Sequence, residues 1–151
     1  MTPTDNRSTG PPHPPLVSIL RQGGYLIASI HTALDDTQLR RFQRDLIDRV
    51  GRDRARGIII DVAALDVLDS FASHTLSTIA KTAKLRGATT VIVGIDPHVA
   101  YAMVQLGTRL DGVLTTLDLD EGLALLTGGS GSGRPDPVSR TRGNRLAPTK
   151  A

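Results

Sequence analysis

A serine, a histidine and three carboxylates crowd one short stretch of this 151-residue chain, Asp61-Val-Ala-Ala-Leu-Asp66-Val-Leu-Asp69-Ser70-Phe71, with His74 four residues past the serine. These are the residue types of a nucleophilic hydrolase, but their spacing does not assemble one. Asp69 is the serine's own neighbour and has no way to orient the imidazole, and no Gly-x-Ser-x-Gly elbow surrounds Ser70. No catalytic residue is assigned. Asp61, Asp66 and Asp69 could instead form an acidic metal cluster. The four histidines, His13, His31, His74 and His98, show no zinc spacing, and there is no cysteine to supply a thiolate. Gly128-Gly-Ser-Gly-Ser-Gly133 is glycine-rich but lacks the Gly-Lys-Ser/Thr ending of a phosphate loop, so it reads as a linker.

The elements that would position these residues alternate between strand and helix. Leu16–Arg21 and Tyr25–Ile30 are β-rich runs separated by Gly23-Gly24, the pattern of a hairpin. Asp35-Asp36 can cap a helix from about Thr37 to Val50, with Leu39, Phe42, Leu46 and Val50 on one buried face. Gly57–Asp61 is a continuous apolar strand of the kind covered on both sides. A second helix runs from about Ser70 to Arg86 and ends at Gly87. Strand Thr89–Val93, a helix from Pro97 to Leu106, a short strand Val113–Leu117 and a final helix Leu119–Leu126 complete the series. Such alternation predicts an α/β layer fold with a mostly parallel sheet and an antiparallel hairpin at its edge.

That order places Asp69 and Ser70 where the most buried strand gives way to the second helix, the end at which α/β sheets usually carry working residues. Asp69 is a natural N-cap, and Ser70 lies in the first turn. At about 100° per residue, Ser70, His74, Ser77, Lys81 and Lys84 fall along one line of the helix, expected to face outward, while Ala72, Leu76, Ile79 and Ala83 fall opposite. A phosphate on Ser70 would meet free backbone N–H groups and the positive end of the helix dipole, opposed by the charge of Asp69. A serine at a helix start is also simply favoured there. The exposed row reads equally as a solvated helix face.

Composition narrows the remaining choices. There are four aromatic residues and no tryptophan, which argues against base-stacking schemes. No apolar run has membrane-spanning length and the first fifteen residues do not resemble a signal peptide, so a soluble, cytoplasmic protein without a membrane partner is expected. Between Leu16 and Thr127 there are 12 Lys/Arg against 13 Asp/Glu, whereas residues 128–151 hold Arg134, Arg140, Arg142, Arg145 and Lys150 against Asp136 alone. The positive charge therefore reads as a property of the tail. Residues 1–15 and 128–151, rich in proline or in glycine, proline and arginine, are expected to be disordered around a domain at 16–127. The tail reads as a solubilising extension. The second alternative function is a nucleic-acid-binding module that uses this Arg-rich tail, although a nucleic-acid partner is not the expected one. Its signature would be tight, steeply salt-dependent binding lost on truncation after Thr127.

Ile58-Ile-Ile-Asp61, Leu65-Asp66, Leu68-Asp69-Ser70-Phe71, Leu85-Arg-Gly-Ala88 and Val93-Gly-Ile95-Asp-Pro97 follow one another in an order that resembles the STAS family of anti-sigma-factor antagonists. Leu106-Gly107 and Val113-Leu-Thr-Thr116, with Leu123 after them, extend the resemblance over about Leu16 to Leu126. Within the family it favours the RsbS type, the small stressosome scaffold subunit, because Asp-Ser-Phe-Ala stands where simple antagonists carry Asp-Ser-Ser-Gly. The resemblance implies a STAS-like mixed sheet with helices packed on one side, no enzymatic activity and no cofactor. It implies that Asp61, Asp66 and Asp69 sit at the junction without a metal, as capping and partner-contact residues. By the same analogy Ser70 is the phosphoacceptor, and Asp69, His74, Ser77 and Lys81 are candidates for contact with a serine/threonine switch kinase. Ser73, Thr75 and Thr78 are weaker acceptors, being turned from the exposed line. The implied partners are that kinase, sensor paralogues with similar domains in an oligomeric assembly, and a resetting serine phosphatase. A soluble antagonist that binds an anti-sigma kinase directly is the alternative on the same fold.

Overall fold

The structure is a computed structural model that describes residues 14–128. Apart from Pro14, Pro15 and Gly128, the two segments expected to be disordered lie outside the described residues. Strands β1 (Val17–Gln22) and β2 (Tyr25–Ile30) form the expected antiparallel hairpin, with Gly23 at φ +59° in its turn. Helix α1 (Asp36–Asp53) opens with a capping box in which Asp35 accepts from Gln38 N–H and the Gln38 side chain accepts from Asp35 N–H. It runs three residues past Val50 and closes at Arg54, which adopts a left-handed conformation.

Strand β3 (Gly57–Asp61), helix α2 (Ser70–Leu85), strand β4 (Thr89–Val93), helix α3 (Pro97–Leu106), strand β5 (Leu114–Thr116) and helix α4 (Leu119–Leu126) follow. The sheet order is β1-β2-β3-β4-β5, parallel from β2 to β5. Each parallel connection steps to the next strand in the same direction. Right-handed crossovers then put α1, α2 and α3 on one face. Leu26, Ala28, Ile30, Ile58, Ile60 and Ile92 point to that face and pack with Leu46, Leu76, Ile79 and Met103 of the helices.

The mixed sheet with its edge hairpin is the expected fold, but the helices are not all on one side. Helix α4 is not a crossover, so no handedness rule holds it with the others. It covers the opposite face, where Leu119, Leu123 and Leu126 pack on Ile27, Ile59, Val91 and Val93. Glycine permits the close approach: a Cβ on Gly122 would lie 2.9 Å from Val93 Cγ1, and one on Gly57 2.8 Å from Leu126 Cδ1. This second layer explains why β3 is apolar throughout. Ile58, Ile59 and Ile60 are all fully buried, alternately under the two helical layers.

Candidate functional site

All four helices begin at the end of the sheet where β2 to β5 finish, and all four have aspartate N-caps: Asp35, Asp69, Asp96 and Asp118. The β3–α2 junction lies among them. Asp61 Oδ1 accepts from Ala63 N–H at 2.9 Å and turns the chain out of the strand. Gly94 lets β4 pass close by, since a Cβ there would be 2.9 Å from that of Ala63, and its φ of +80° suits glycine. Leu65 and Leu68 fold back into the core while Asp66 and Val67 stay exposed between them. Asp69 Oδ1 then accepts from Ala72 N–H at 2.7 Å and starts α2.

Ser70 is the first residue of that helix and is exposed. The cap on Ala72 leaves the first two N–H groups of α2, those of Ser70 and Phe71, outside the helix's own bonding. The next ring along, Phe71, is half-buried beneath the Arg40 guanidinium of α1, whose carbon lies 5.5 Å from the ring centroid. Phe71, one of the two residues that depart from the Asp-Ser-Ser-Gly pattern, thus ties the start of α2 to α1. Two shallow clefts flank the 65–69 segment. One lies toward α1, lined by Leu34, Leu39 and Leu65, and the other toward α3, lined by Ser70, Val99, Met103 and Leu106. Val67 and Asp69 border both. Sequence reading passed over Val67; a valine between Asp66 and Leu68 in a turn was its only signal.

The outward row survives in part. His74, Lys81 and Lys84 are exposed with Ser70, but Ser77 is only 6 % exposed and is not available to a partner. The expectation failed because the covered arc of α2 is wider than a helix lying on a sheet alone would have. The connection after α3 packs beside this arc, bringing Gly112 against Ala80 and Lys81 and setting the half-buried Leu110 and Val113 against the core. Ser73 and Thr75 are buried as well, and Thr78 is half-buried. Thr75 and Thr78 spend their hydroxyls on the Phe71 and His74 carbonyls. Asp69, engaged by Ala72, does not orient His74, so no triad forms. Asp61 and Asp69 each serve a local backbone N–H, and among the described residues no group of three His, Asp or Glu side chains converges as metal ligands. No helix among those residues is long and apolar enough to cross a membrane.

Comparison with known proteins agrees with this geometry. The STAS domain family model matches residues 17–121. A serine-to-glutamate variant of Moorella thermoacetica RsbS shares 33% identity at a TM-score of 0.64, covering 74% of this chain and 94% of that one. A chain from the molecular architecture of the stressosome, a signal integration and transduction hub, shares 31% identity at a TM-score of 0.59, covering 73% and 96%. RsbRA of Bacillus subtilis, named as an RsbT co-antagonist, is 28% identical over 90 residues, which are 60% of this chain and 33% of RsbRA. The match therefore spans about a third of that longer relative's length. The anti-sigma factor antagonist SpoIIAA in its unphosphorylated form, at 12% identity and a TM-score of 0.61, shows the fold. This chain belongs to the STAS-domain family, with RsbS and a stressosome chain among the proteins it is similar to.

Proposed function

We propose that this protein is a phosphorylation-switched scaffold of a stressosome-like complex: it holds a serine/threonine switch kinase and lets it go when Ser70 carries a phosphate. STAS-domain sensor paralogues are its co-assembling partners, and a serine phosphatase resets it. The observation that carries this reading is the placement of Ser70, an exposed hydroxyl at the start of α2, capped by Asp69 and bordered by an apolar cleft. A phosphate there adds about 1.5–2 negative charges. It does so beside Asp66 and Asp69, at the mouth of a cleft that a partner would need to desolvate. Burying such a charge without a paired cation costs several kcal/mol, about what is needed to undo a contact. His74 and Lys81, on the same exposed line, are the proposed kinase contacts with Asp69. The stressosome reading is preferred over the directly acting antagonist because identity to RsbS is 33% against 12% to SpoIIAA.

The test is intact-mass spectrometry of the full chain after incubation with ATP and the cognate switch kinase, with co-elution of the kinase followed in parallel. Wild type should gain a single phosphate and lose the kinase, and Ser70→Ala should gain none and retain it. An unmodified wild type beside a control substrate that the same kinase phosphorylates would remove the switch.

A further inference from the structure

The central part of the chain is close to neutral by count, yet its charges are sorted by position. Asp35, Asp61, Asp66, Asp69, Asp96 and Asp118 stand at the end where the helices begin. At the opposite end every connection into the sheet brings an exposed arginine. Arg21 leads into the β1–β2 turn, Arg54 and Arg56 precede β3, Arg86 precedes β4, and Arg109 lies ahead of β5. Because the strands are neighbours in chain order, these residues lie in sequence along the sheet's end. Five strands at about 4.8 Å spacing make that row roughly 19 Å long.

Backbone hydrogen bonds link three of these connections. Arg56 N–H donates to the Gly24 carbonyl in the hairpin turn, and the Arg56 carbonyl accepts from Thr89 N–H after Arg86. The Arg86 guanidinium lies over Gly51 of α1. Part of this pattern answers helix C-termini, which favour cations. That role requires only side chains in the last helical turn, and Arg21, Arg56 and Arg109 lie outside the helices. Among the described residues none of the five is ion-paired: Asp53 is taken by Arg49 at 3.1 Å, and Asp111 is the one other carboxylate in these connections.

The described chain also ends at this pole. Tyr25 Oη donates to the Leu126 carbonyl, two residues before Gly128. The segment that follows adds Arg134, Arg140, Arg142, Arg145 and Lys150. We propose that the arginine row binds the phosphate backbone of a nucleic acid. A linear array of cations fits a linear polyanion better than a flat lipid surface. Arginine, which forms the whole row and most of the tail's positive charge, matches phosphate through two parallel donors. With so few aromatic side chains, binding reads charge and not base identity. Ser70 stands at the other pole, so this contact is independent of the proposed switch.

Fluorescence anisotropy with a labelled 20-base-pair DNA duplex at about 150 mM salt tests the proposal on the full chain. Arg54→Glu/Arg109→Glu should weaken binding tenfold or more and lower the slope of log affinity against log salt by about 2, one unit per phosphate lost. Ser70→Ala should bind as wild type does, and circular dichroism of each variant reports the fold. A full chain whose five tail cations are replaced by serine should still lose affinity on the double reversal. The proposal is overturned by no duplex binding at that salt, by binding unchanged in Arg54→Glu/Arg109→Glu, or by association with phosphatidylglycerol vesicles alone.

Discussion

Ser70 and Ser77 are 20° apart around one helix, and their surroundings differ completely. Ser70 stands at the open start of α2, whereas Ser77 is buried one turn before the point where the connection between α3 and β5 brings Gly112 against Ala80 and Lys81. Ser77→Asp would force a carboxylate into a covered site, with only the exposed Lys81 one turn on to answer it. It should lower stability by about 2–4 kcal/mol, while Lys81→Ala on the exposed line stays within about 0.5 kcal/mol. Urea denaturation measures both, and a Ser77→Asp midpoint equal to wild type would place Ser77 in contact with solvent. The helical spacing located Ser70, His74 and Lys81 correctly as exposed and Ala72, Leu76, Ile79 and Ala83 on the inward side. It could not give the width of the covered arc. That width is set by residues 107–113, thirty positions away, whose path depends on how α3 docks.

The elements themselves were written plainly. Asp35 and Asp69 at helix starts, Pro97 in the first turn of α3, Gly87 and Gly107 after helix ends and the Gly23-Gly24 turn each mark a boundary through a local physical preference. The apolar run of β3 announced cover on both faces but not which element supplies it; that role fell to α4, whose eight residues carry Gly122 at the point of contact. Gly122→Ala sets two effects against each other. Alanine gains about 1 kcal/mol of helix preference over glycine. The added Cβ, 2.9 Å from a fully buried Val93 methyl, overpacks the interface at a cost of about 1–3 kcal/mol. The net expectation is a loss of about 1 kcal/mol, read by urea unfolding with an unchanged denaturant slope. A gain in stability would mean that α4 shifts freely on the sheet.

At the scale of the whole molecule, counting charges concealed what the topology does with them. The balance between Leu16 and Thr127 suggests a domain of little electrostatic character, and the excess was assigned to the tail. Parallel strands and crossover helices, however, send every helix start to one end and the starts of β2 to β5 to the other. Aspartate caps and arginine-bearing connections are sorted with them. The result is a permanent electric dipole along the strand direction. Molecules of this kind attract one another head to tail when few ions are present, and salt loosens that attraction by screening over distances of about 8–10 Å. The full chain should therefore salt in. Its solubility at pH 7 should rise between about 10 and 150 mM sodium chloride, with the osmotic second virial coefficient turning from negative to positive. A coefficient that falls with salt would show net charge governing the solution. Stored at low ionic strength, the protein would form reversible chains whose links depend on the orientation of each neighbour.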